Sequence, residues 1–135
     1  MHQILVIDDN SADIFLMREA IRRSEVTANV VFASNSEQVL RFLADVNYKP
    51  DLIMLDLNLP GQDGFDLLEK ELPIGGPPII VLTGSSNPDD KLRSLELGAR
   101  DYIIKPMTLT IFFDAMHAVL EKWLDSGSEV SASAL

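Results

Sequence analysis

The sequence predicts an α/β fold, a doubly wound parallel sheet of five strands flanked by five helices. Three observations carry this reading. Four short runs, residues 4–7, 52–55, 79–82 and 102–104, are apolar throughout and do not alternate. A strand that is apolar on both sides is buried on both faces, as in a parallel sheet covered by helices. Stretches with helical spacing lie between and after these runs, and the connections are short, which implies right-handed crossovers.

The elements follow in order. Residues 4–7 form the first strand, and residues 11–23 the first helix, with Ile14, Met17 and Ile21 on one stripe. A weaker run, residues 30–33, supplies the second strand. The second helix, residues 36–46, carries Val39, Leu40 and Leu43, and Ser34 with Glu37 has capping-box spacing. Residues 52–55 are the third strand and residues 64–72 a short helix. After the fourth strand, residues 79–82, Asn87-Pro88-Asp89-Asp90 reads as an N-cap, an N1 proline and an acidic first turn. That helix is expected to end at Gly98, a natural C′ residue. The fifth strand, residues 102–104, precedes a last helix over residues 108–124.

The last helix carries two apolar stripes. One is Ile111, Ala115, Ala118 and Val119; the other is Phe113, Met116, Leu120, Trp123 and Leu124. A surface helix normally needs one such stripe. The expectation is that one faces the sheet and the other a partner, giving a homodimer through this helix and the strand-five face, with Phe113, Met116, Leu120 and Trp123 as contact candidates.

The chain has 135 residues, suited to one domain. Residues 1–125 are read as the folded unit and residues 126–135, small and polar, as a disordered tail. A net charge of −10 argues against nucleic acid and anionic membrane as partners. The absence of cysteine excludes disulfides, thiolate metal sites and a cysteine nucleophile. No secretory signal or membrane span is visible, so the expected location is the cytoplasm.

In open sheets of this kind ligands bind beyond the carboxyl ends of the strands. Strand one ends in Asp8-Asp9, strand three in Asp56, strand four in Thr83 and strand five in Lys105-Pro106; strand two ends in Ala33-Ser34, with no comparable chemistry. Taken singly, Asp8 or Asp9 could cap a helix, Thr83 could serve a turn, and Lys105 could be a solvated lysine. Together they are complementary. Three close carboxylates repel one another unless a cation is present, and Mg²⁺ takes hard oxygen ligands. Lys105 offers a compact positive charge, and Thr83 a neutral donor, to phosphoryl oxygens. Asp56 can then act as a carboxylate nucleophile.

Ile-Asp8-Asp9-Asn, Leu-Asp56-Leu-Asn58-Leu-Pro60, Asp63-Gly64, Leu-Thr83-Gly84 and Tyr102-Ile-Ile-Lys105-Pro106 resemble the ordered motifs of response-regulator receiver domains of two-component signalling. The match spans about residues 3 to 124. The resemblance implies a flavodoxin-like sheet in the order 2-1-3-4-5. It implies that Asp56 accepts phosphate from a sensor histidine kinase, and that Asp8, Asp9, Asp56 and the backbone carbonyl of Asn58 hold Mg²⁺. Thr83 and Lys105 would contact phosphoryl oxygens, and Tyr102 would move inward as the Thr83 loop closes. The family's lysine–proline peptide is typically cis, so a cis bond is expected before Pro106. Asn58 and Ser85 fall where the family tunes the lifetime of the phosphate, and Gly84 stands where alanine is commoner.

Asp9-Asn-Ser-Ala-Asp13, residues 57–60 and 83–86, and the Phe/Trp-rich end are also similar to stand-alone receivers that accompany bacterial phytochromes, which implies a bacteriophytochrome kinase as partner. On this reading the chain is a regulatory protein with self-catalysed phosphorylation and dephosphorylation, rather than an enzyme acting on other substrates. Alternatives stay open at this stage. They are a phosphorelay shuttle, a pseudo-receiver that is never phosphorylated, a haloacid-dehalogenase-type phosphatase, and a flavodoxin-like electron carrier. The phosphatase usually wants a second acid two residues after its nucleophile, where this chain has Asn58. The electron carrier would need a phosphate-cradling loop where this chain has Asp8-Asp9. His2 and His117 are read as ordinary surface or boundary residues.

Overall fold

The computed structural model describes residues 1–59, 63–72, 75–84, 87–105 and 108–125. The expectations for Pro60, Ser85, the peptide bond before Pro106 and the tail lie outside these residues.

Strands β1 (His2–Ile7), β2 (Ala28–Ala33), β3 (Leu52–Asp56), β4 (Ile79–Thr83) and β5 (Asp101–Ile104) alternate with helices α1 (Ser11–Arg23), α2 (Ser36–Ala44), α3 (Gly64–Lys70), α4 (Pro88–Glu96) and α5 (Leu109–Leu120). All four pairings are parallel, in the order β2-β1-β3-β4-β5, as the motif set implied. No helix among the described residues is long and apolar enough to cross a membrane.

Successive strand side chains point to opposite faces, so the sheet divides the core in two. Ile4, Val6, Leu52, Met54, Ile80, Leu82 and Ile103 pack under α1 and α5. Leu5, Ile7, Ile53, Leu55, Ile79 and Val81 pack under the helices of the other face, with Val39, Leu67 and Leu68. This double burial is what made the runs of β1, β3 and β4 continuous rather than alternating; β5, at the sheet edge, has an apolar run although Ile104 is exposed.

The helix ends confirm some local readings and correct others. Asn87 caps α4, its side chain accepting from Asp89 N at 2.9 Å. The same helix closes with Gly98 at φ +113°, where Gly98 N donates to Leu95 O and Ala99 N to Ser94 O, the paired bonds of a Schellman closure. For α2, the Ser34–Glu37 box does not form. Asn35 is the cap, accepting from Gln38 N at 2.9 Å, and the Gln38 side chain reaches back to Ser34 N at 2.7 Å. The cap moves one residue along because Asn35 takes a helix-end donor as well as Ser34 would, and Gln38 satisfies the N–H of the residue before the cap instead of closing a reciprocal box. At α1 the cap is Asn10, not Asp8 or Asp9.

The two-stripe reading of α5 is also corrected. Met116 and Leu120 are fully buried, and Phe113 and Trp123 pack against the same core. The Arg23 guanidinium lies over the Phe113 ring, 4.6 Å from its centre, and the Trp123 indole donates to Asp101 Oδ2 at 3.2 Å. Trp123 stands on a π turn, Glu121–Asp125, that continues the helix. α5 covers the sheet and also packs on α1, so its buried arc is wider than one sheet contact requires. Its large outward apolar residues are Leu109 and Ile111.

Candidate functional site

The strand register assembles the site. Ile7 pairs with Leu55, so Asp8 follows beside Asp56; Asp56 pairs with Leu82, so Thr83 lies one residue further along β4. Thr83 pairs with Ile104, and Lys105 N donates to Thr83 O at 2.6 Å, which sets the lysine at the end of β5. Four strand ends therefore deliver the expected groups to one edge of the sheet, because all strands run the same way and end at similar levels.

Asp8, Asp56 and Thr83 are buried, while Asp9 and Asn58 are exposed. Each buried carboxylate is oriented by a local backbone donor. Asn10 N donates to Asp8 Oδ1 at 2.9 Å, and Asn58 N to Asp56 Oδ1 at 3.0 Å. Asp8, Asp9 and Asp56 each offer an oxygen, and these atoms lie within 4.8 Å of one another. Three hard oxygen donors so close fit a divalent cation such as Mg²⁺ or Mn²⁺ and suit softer thiolate-loving ions poorly.

The Lys105 ammonium meets three carboxylates: Asp13 Oδ2 at 2.5 Å, Asp56 Oδ2 at 2.9 Å and Asp8 Oδ2 at 3.4 Å. Burial alone would lower the lysine pKa; hydrogen bonds to Asp13 and Asp56 and the charges of Asp8 and Asp56 outweigh it, so the pKa is raised. Asp8 is pushed up to about 6, first by burial. Its bond from Asn10 and the charge of Lys105 oppose that rise, and the charges of Asp56 and Asp13 add to it. With Asp9, which joins Asp8 and Asp56 in the triad, four carboxylates gather around a site that holds one ammonium, an imbalance that a bound cation would relieve.

Tyr102 is half-buried on β5 and hydrogen-bonded to the Thr83 side chain. Burial and the nearby Asp90 charge raise its pKa, against the effect of that hydrogen bond. At Gly64 the chain passes so close to the loop after β3 that a Cβ would sit 2.5 Å from Leu57 Cα. The requirement for glycine here is close approach rather than a turn. A Cβ on Gly84 would meet nothing within 4 Å, so the smaller residue is not sterically required beside Thr83.

Asp13 is the member of the cluster that the strand-end reading missed. It lies in the first turn of α1, where an acidic residue is already explained by the helix dipole. Nothing local distinguishes it from a helix-starting acid. Phe113, Met116, Leu120 and Trp123 lie away from the cluster, in the packing between α5 and the sheet.

A family profile described as "Response regulator receiver domain" matches residues 4–117. The chain is 31% identical over 131 residues to "Response regulator Rcp1" of Synechocystis sp., covering 91% of this chain and 89% of that one. Its fold superposes on the Mn²⁺-bound form of Rcp1 with a TM-score of 0.78 at 32% identity, covering 92% of this chain and 95% of that one. For the phosphorylated cyanobacterial phytochrome response regulator RcpA the TM-score is 0.80 at 35% identity, with 93% and 96% covered. Other relatives are longer: the chain spans 50% of the transcriptional regulatory protein CpxR of Escherichia coli, at 32% identity over 90% of this chain.

Proposed function

The chain belongs to the response regulator receiver domain family, and from that premise we propose that it accepts a phosphoryl group on Asp56 from the phosphohistidine of a sensor kinase. Residues 1–125 are the receiver unit in this reading. The observation that carries it is the ammonium of Lys105 held 2.9 Å from Asp56, beside a carboxylate triad that calls for a cation.

Asp56 Oδ1 is held by Asn58 N, which fixes the plane of the carboxylate. In the transfer the donor's N–P bond breaks and an Asp56 oxygen bonds to phosphorus. The histidine nitrogen keeps the electron pair and takes up a proton. Lys105 and Thr83 steady the phosphoryl oxygens as the charge shifts. Asp8, Asp9, Asp56 and the Asn58 carbonyl would hold Mg²⁺, which when bound supplies positive charge to the transferring oxygens. Thr83 is engaged with Tyr102. A phosphoryl group that claims the Thr83 hydroxyl would free Tyr102, a two-state element biased by one covalent group. The side chains of Asn58 and Ser85 would tune the adduct's lifetime.

The partner kinase in this reading is of the phytochrome type, supported by the likeness to RcpA, and the setting is the cytoplasm. For output, we propose a homodimer. The Phe113–Trp123 stripe is occupied by the core, so the support moves to the apolar side chains around the β5 edge: Leu92 and Leu95 on α4, Ile104 on β5 and Ile111 on α5, all exposed. Sedimentation with and without beryllofluoride tests this, and a monomer in both at micromolar concentration would refute it.

The test of the main reading is incubation with phosphorylated candidate kinases, followed by mass mapping. Wild-type protein is expected to carry phosphate on Asp56 only when Mg²⁺ is present, and Asp56→Asn to carry none. Label on the Asn variant would overturn the acceptor assignment.

A further inference from the structure

We propose that Asp13 is a positioning residue of the phosphoryl site. Its carboxylate on α1 competes with the phosphoryl group for the Lys105 ammonium and so loosens the site's hold on that group. The inference rests on the reading of Asp56 as the acceptor.

An ammonium has three N–H donors, and Lys105 has three carboxylate partners, Asp13, Asp56 and Asp8. A phosphoryl oxygen must therefore displace, or share with, one of them. Asp56 becomes part of the adduct itself. Asp8 belongs to the triad whose charge a cation would offset. Asp13 stands outside that triad and is hydrogen-bonded to the ammonium. It is therefore the carboxylate that keeps its claim on Lys105 once the site is loaded.

The surroundings strengthen that claim. Asp13 and Lys105 border a cavity of about 10 Å³ whose other walls are Leu16, Met17, Leu82 and Phe112. Their side chains are 22% and 16% exposed, so the pair is only partly screened by water. The Asp13 backbone is anchored independently of its side chain: Asn10 Oδ1 accepts from Asp13 N at 3.0 Å and from Ala12 N at 2.9 Å. Replacing the carboxylate thus leaves the cap of α1 in place. It also removes one negative charge from a site that must admit an anionic donor.

The experiment compares wild type, Asp13→Asn, Asp13→Glu and Asp13→Ala in the full chain with Mg²⁺. Beryllofluoride binding is followed by ¹⁹F NMR, and phosphorylation by acetyl phosphate is resolved into KM and the saturated rate. For Asp13→Asn the half-saturating beryllofluoride and the KM are expected to fall about three- to tenfold, with the saturated rate changing less than about twofold. Asp13→Ala should move the same way, and Asp13→Glu should return both values toward wild type. Unchanged or weaker binding in both neutral variants overturns the role of Asp13 while leaving the acceptor reading intact. A wild-type chain that takes up neither reagent overturns both.

Discussion

The molecule holds opposite charges at hydrogen-bond distance in two very different places. On α2, Arg41 and Glu37 are 2.7 Å apart, one helical turn from each other, and each side chain is 74% exposed. At the carboxyl end of the sheet, Lys105 and Asp56 are 2.9 Å apart, 49 positions apart in sequence, with side chains 16% and 3% exposed. The distances are nearly equal and the physics is not. Water and salt screen the helix pair, which contributes little to stability. The sheet-end pair has been taken out of water, so losing either partner strands a charge. Distance alone therefore says little about what an ion pair does; burial and the balance of charge around it decide.

The largest expected effect comes from breaking the buried side of this comparison. With chelator at neutral pH, Lys105→Met should lower the unfolding free energy by roughly 3 kcal/mol, because Asp8, Asp13 and Asp56 lose their shared cation. Chemical denaturation measures it, and added Mg²⁺ should recover part of the loss. A variant as stable as wild type in chelator would show that the lysine neutralises nothing.

The pH dependence sharpens the same point. The Asp8 pKa is raised from 3.8 to about 6 by burial, against the opposing pull of Asn10 and Lys105. A carboxyl raised in the folded state binds its proton more tightly there than in the unfolded chain. This contribution to stability is therefore fully present below pH 4 and is lost as pH rises through 6. Without divalent cation the loss should be of order 2–3 kcal/mol between those limits. With saturating Mg²⁺ the decline should flatten. An Asp8→Asn variant that keeps the full metal-free decline would assign it elsewhere.

Smaller again is the effect of crowding the site's scaffold. Gly64→Ala places a methyl against the Leu57 backbone, and should cost roughly 1–3 kcal/mol in denaturant melts. It should also slow phosphoryl uptake, since the pushed segment lies directly after Asp56. The smallest effect is at the exposed pair: Arg41→Met should leave the unfolding midpoint unchanged within error, in low salt and high.

The central strands β1, β3 and β4 were legible because burial on both faces writes an unbroken apolar run, and α4 because Asn87, Pro88 and Gly98 act within a few residues of where they stand. Each is a local rule with a local signature. The Asn35 cap was displaced from the expected Ser34 because two neighbouring residues satisfy the same rule, and a sequence window ranks such choices poorly. The α5 stripes failed for a different reason. Helical periodicity shows which residues share a face, but not how many neighbours that face meets, and α5 meets both the sheet and α1.

The site divides along the same line. Asp8, Asp9, Asp56, Thr83 and Lys105 could be picked out from one dimension, because each ends an apolar run and parallel strands end together. That Lys105 bonds Asp13 as well as Asp56 could not be, since the contact joins a helix turn to a strand end 92 positions away and depends on how α1 lies across the sheet. Local patterns specify which residues are buried, capped or left at an edge. Which charges share one ammonium is settled only when packed elements bring side chains within 3 Å, because that choice is made by through-space electrostatics rather than by neighbours along the chain.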